Sequence, residues 1–223
     1  MDFKSKITNK KDIDWSYTIV LEELRVDPTA LENHKQRIEK IFAKESDEEK
    51  AQQLHNIVVR DNLFSAAMDK LAEFYEFEFV DEDIKNLIPR IISAFGEYKN
   101  NIAPEIAKKI IQKTLIFKDL QDTFNIEIKD EELEKILSSY YEETNQPIRD
   151  FKENKAQWEA ARLTLLEEKT TAFIIDKFNR DLSILEKNIR EKLAKQMELE
   201  KQIESMTKKE NEESKDKEET KKN

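Results

Sequence analysis

Residues Phe74–Asp83 read FYEFEFVDED. Apolar and acidic side chains alternate here in the manner of a strand, inside a chain whose spacing is otherwise helical. Thr123–Glu132, TFNIEIKDEE, repeats the pattern. In register, Leu71 matches Leu120, Tyr75 matches Phe124, Phe77 matches Ile126 and Phe79 matches Ile128. Glu78, Asp81 and Glu82 recur as Glu127, Asp130 and Glu131, and Ile84, Leu87 and Ile88 as Leu133, Ile136 and Leu137. Each unit reads as a helix, an extended corner, a carboxylate N-cap and a new helix. The corner side chains are expected to be core anchors, and Asp81 and Asp130 to satisfy free N–H groups at the positive end of the next helix. Two such units predict two helical arms, about 81–128 and 130–180.

Outward from the repeat, helical signals continue. Asp27-Pro28 sets an N-cap and first helical position ahead of Leu31, His34, Ile38, Ile41 and Phe42. Ser46 and Glu49 form a capping box for a helix reaching about Tyr75. Pro89 predicts a kink in the helix that starts at Asp81. Pro104 opens a helix to about Phe124, and Pro147 opens the longest one, to about Met206 with a break near Asn179. WSYTIVLEEL, from Trp15, reads as one short strand. The expected fold is mostly α: an elongated multi-helix body with two helical arms and one short N-terminal strand. Its parts are a 1–26 N-terminal segment, a 27–206 helical domain and a disordered charged tail, 207–223.

The chain has 223 residues, 38% hydrophobic and 39% charged, with one glycine, four prolines and no cysteine. That composition suits long helices with a wet face and excludes disulfides and thiolate metal sites. Residues 207–223 hold six lysines and six acidic residues, so the net charge of −10 belongs to the rest. An acidic body disfavours nucleic acid and anionic membrane. The N-terminus has no apolar signal core, and no apolar run approaches the roughly 20 residues of a membrane helix. A soluble, cytoplasmic protein is expected.

One glycine cannot build a phosphate-binding loop. His34 lies on an apolar helical stripe and reads as a packed core residue; His55 reads as an ordinary helix residue. No pair of carboxylates is singled out by spacing. The expectation is no enzyme, no cofactor and no metal. Apolar and aromatic bands remain: Phe95, Tyr98, Tyr140, Tyr141, Phe151, Trp158, Phe178, Met197, Leu199, Ile203 and Met206 are the candidate polypeptide-binding residues. Slender arms cannot cover every apolar face, and exposed apolar patches mark binding surfaces. Met197, Leu199, Ile203 and Met206 form a seam interrupted by Lys192 and Gln196, poorer than a true coiled coil.

From Lys118 to Phe178, and in KLAEFYEFEFVDEDIKNLI before it, the pattern of apolar helix, extended corner, acidic N-cap and later LEEKTT helix (Leu165–Thr170) resembles the C-terminal domain of the chaperone trigger factor. IVLEELRVDPTALENHKQRIEKIF resembles that family's linker. The likeness covers about 46–180 and is similar in outline to the SurA chaperone core. The family's ribosome-docking loop and prolyl isomerase domain have no counterpart, so ribosome docking and isomerase activity are in doubt. The resemblance implies an ATP-independent holdase for unfolded or nascent polypeptides, a monomer or weak dimer. The alternative is a helical adaptor docking one partner.

Overall fold

The computed structural model describes residues 3–96, 101–144 and 152–200, with the side chains of 95 and 139–144 outside that set. The chain is mostly α, and among the described residues it forms seven helices and four short strands. The chain divides into two compact units, one of Met1–Ile19 with Arg60–Asn179, the other of Val20–Val59 with Arg180–Asn223.

In the first unit, β1 (Lys6–Lys10) pairs antiparallel with β3 (Tyr75–Glu78), and α3 (Asp81–Phe95) packs on α4 (Ala103–Phe124). α5 (Asp130–Thr144) and α6 (Lys155–Lys177) follow, and α6 packs on both α4 and α5. The C-terminal half of α2 (Asp47–Ala72) completes this unit. Leu87 and Ile91 of α3 lie against Ala103, Ala107 and Ile111 of α4, with Phe3, Phe79 and Ile84 packed around them. The two alanines let the helices approach closely. Gly96 ends α3 at φ 88°, a conformation that favours the chain's only glycine. Asn125 ends α4 in the left-handed region, where asparagine is among the better-tolerated residues.

The second unit holds α1 (Pro28–Ile41), the first half of α2 and α7 (183–200). Asp27 accepts from the backbone N–H groups of Thr29 and Ala30 at 3.0 and 3.1 Å, with Pro28 leading the helix. The Ser46–Glu49 box is closed both ways, at 2.8 and 3.3 Å. The Ser46 N–H and hydroxyl, both donating to it, hold the Glu49 carboxyl below the usual range.

Several expectations need correction. The strand read from Trp15 is only β2, Thr18–Val20, because Asp14 accepts from the Ser16 N–H and hydroxyl and turns the chain there. β1 and β4 (Asn179–Asp181) are strands that the N-terminal reading did not include. β4 occupies the expected break near Asn179, and the helix resumes at 183. His34 is half-buried, not a core residue. Asp81 is no cap: Val80 holds that position without a side-chain bond, and Asp81 is the first residue of the helix. Residues 201–223, including the predicted tail, lie outside the described set, as does Pro147.

Candidate functional site

The two corners share a sequence pattern but differ in one ring. Tyr75 is buried, and its hydroxyl donates to Asp119 at 2.7 Å. Burial and that carboxylate raise the Tyr75 hydroxyl far above its ordinary value. Phe124, its counterpart in the repeat, is 39% exposed. It lies 4.9 Å from Phe173 of α6 and 6.1 Å from Trp15, which also contacts Phe173 at 6.2 Å and Phe178 at 5.0 Å. Edge and tilted contacts of this kind suit aromatic clusters. Trp15 and Phe173 are half-buried and Phe178 is buried, so the cluster has a packed floor and an open rim. The Lys177 ammonium stands 5.5 Å from the Phe124 ring and 5.3 Å from Phe173.

Three pieces of chain build this patch. The Asp14 turn presents Trp15. Asn125, by ending α4 one residue after Phe124, leaves that ring at a helix end. The last turn of α6 supplies Phe173 and Lys177, four residues apart and therefore on one face. α6 is seated on α4 by the Gln121 amide donating to Thr170 at 2.9 Å and by Lys113 pairing with Glu167. Thr170 is fully buried, and its hydroxyl is satisfied by the Leu166 carbonyl at 2.7 Å.

Of the residues proposed from sequence, Phe178 is corrected: it is 3% exposed and supports the cluster from beneath. Trp158 is half-buried, its indole N–H donating to Asp130 at 3.4 Å. Arg162 pairs with the same carboxylate, and the two donors hold it below the usual range. Met197 and Leu199 are each 57% exposed on α7, beside Leu193. Tyr98, Phe151, Ile203 and Met206 lie outside the described residues, as do the side chains of Phe95, Tyr140 and Tyr141. Sequence reasoning placed Trp15 in a strand and Phe124 in the core, and it passed over Phe173 and Lys177. The signal available was the Phe173–Lys177 spacing; that Trp15 would join them is a long-range contact no local pattern carries.

No protein-family model matches the chain. The chain is 34% identical over 178 residues to the uncharacterized MG377 homolog of Mycoplasma pneumoniae, covering 79% of this chain and 92% of that one. It is 32% identical, with the same coverage, to the uncharacterized protein MG377 of Mycoplasma genitalium. The chain belongs to the MG377 family. The crystal structure of the hypothetical Mycoplasma protein MPN555 is similar, with a TM-score of 0.70 and 33% identity over 81% of this chain and 92% of that one. The helical fold of the MG377 family thus has a solved counterpart, and function has to be read from side chains. No helix among the described residues is long and apolar enough to cross a membrane.

Proposed function

We propose that this protein is an ATP-independent holdase of the cytoplasm that binds unfolded or nascent polypeptides on exposed apolar patches. The observation that carries the reading is Phe124, an aromatic ring exposed where its repeat counterpart is buried. A large apolar side chain left at a surface costs solubility, and such patches mark interaction sites. Others add to it: Ile136 on α5 and Leu163 on α6, at 42% and 62% exposure, and Leu193, Met197 and Leu199 on α7. Methionine adapts its shape to varied neighbours. The resemblance of both corners and of Leu165–Thr170 to trigger factor points the same way.

The test is suppression of aggregation of a chemically denatured enzyme, with and without ATP. The expected result is dose-dependent protection that ATP does not alter. A Phe124→Ser, Phe173→Ser double variant that remains helical by circular dichroism should protect less. No protection by the wild type of any of several unrelated clients would end the chaperone reading.

A second reading has its own support. Residues 191–200 of α7 are all exposed, and Leu193 and Met197 among them, four residues apart, offer a narrow apolar face to one helical partner. Tight capture of a single folded protein, without any client protection, would favour this adaptor role.

A further inference from the structure

Lysines repeatedly stand over aromatic rings in the first unit. Lys10 lies 5.6 Å from the Tyr75 ring and pairs with Asp119 at 2.6 Å. Lys70 lies 4.4 Å from Tyr17 and 5.7 Å from Phe74, and pairs with Glu73 at 2.7 Å. Lys113 covers Phe64 and Phe117 and pairs with Glu167. Lys177 covers Phe124 and Phe173 but has no carboxylate partner among the described residues, in a chain with 49 acidic and 39 basic residues. The Trp15 indole, packed on the same two rings, makes no hydrogen bond within the described structure and is not a buried orphan donor. The open rim of this aromatic cluster therefore carries a cation and an N–H donor, neither with an acceptor among the described residues.

Resting on the holdase reading, we infer that this patch takes segments of unfolded polypeptide in which an apolar side chain stands next to a carboxylate. The apolar side chain lies against Phe124 and Phe173, and the carboxylate is received by the Lys177 ammonium. The net charge of −10 on its own favours a basic client. At physiological salt, exposed charges farther than about 8 Å are largely screened, so the adjacent lysine outweighs the distant excess of acid. A preference for acidic neighbours is thus a signature of the local cation.

The experiment uses three unstructured peptides of equal length, identical except for Glu, Gln or Lys on either side of each Phe. Binding is followed by Trp15 fluorescence in the full chain carrying Trp158→Phe. The expected order of affinity is Glu, then Gln, then Lys, with Glu over Gln by about three- to fivefold, the scale of one exposed ion pair. Lys177→Gln should remove that ratio, and Phe124→Ser should weaken all three. Equal or inverted affinities, or a ratio that persists in Lys177→Gln, would overturn the inference and leave the holdase reading intact. So would absence of peptide binding by a protein that still suppresses aggregation. Failure of both assays would remove both.

Discussion

Ser5 donates to one oxygen of Asp83 from both its backbone N–H and its hydroxyl, each at 2.6 Å, and its own oxygen accepts from the Val80 N–H at 2.9 Å. Both residues are buried, and these bonds hold the Asp83 carboxyl below its ordinary value. A depressed carboxyl stabilises the fold above the unfolded-state pKa, and the contribution is lost as pH falls through the folded one. Exchange protection in Lys6–Lys10, taken relative to the intrinsic rate at each pH, should therefore fall below about pH 4 before that of α4 does. Asp83→Asn should produce the same local loosening at neutral pH; unchanged exchange there would show that the bond is not what fastens β1. The anchors also sort by burial. Leu120 is fully buried, so Leu120→Ala should cost about 2–5 kcal/mol in urea denaturation. Phe77 and Ile126, expected as full anchors, are half-buried, so Phe77→Ala should cost less than Leu120→Ala.

Both corners were legible in the sequence as elements, but not what closes them. At the first, β1 pairs Lys6 with Glu78 and Ile7 with Phe77. At the second, no strand among the described residues arrives; Arg162 donates to the Ile128 carbonyl at 2.7 Å and Lys169 to the Glu127 carbonyl at 3.0 Å. Lys169 also pairs with Glu132 at 2.9 Å, and Lys152 with Glu134. Side chains of α6 thus satisfy carbonyls that a ladder would otherwise take, which is why Ile126–Lys129 stays irregular. Which distant segment reaches a corner is a tertiary matter, invisible to local periodicity. The two closures differ in their ion pairs. α3 is fixed on α4 by an apolar core, whereas α5, which buries Leu133, is also tied to α6 by exposed ion pairs that salt screens. Raising salt to about 1 M should speed exchange in α5 more than in α3, and Arg162→Met should do so at low salt. Equal responses of the two helices would mean apolar contacts dominate both.

At the scale of the molecule, helical content followed from composition and spacing, since one glycine and 39% charged residues leave few other folds. The candidate surface did not follow, because Trp15, Phe124 and Phe173 meet only through packing. Residues 207–223 contain no apolar side chain to bury, so their deletion should leave the melting temperature nearly unchanged. A fall of many degrees would show that this segment packs.

The route of the chain through its two units has a consequence for biosynthesis. The Asn179 amide donates to the Ser16 carbonyl across 163 residues, and the Asn188 amide to the Glu22 carbonyl across 166. At about 5–20 residues per second, a growing chain waits roughly 10–30 s between making Ser16 and making its partner. Throughout that interval Trp15 has neither Phe173 nor Phe178 to cover it. A chain stopped before α6 should therefore remain sensitive to protease within its first 19 residues, and one extended past Asp181 should become resistant there. The segment around Trp15 is made long before the side chains it packs against.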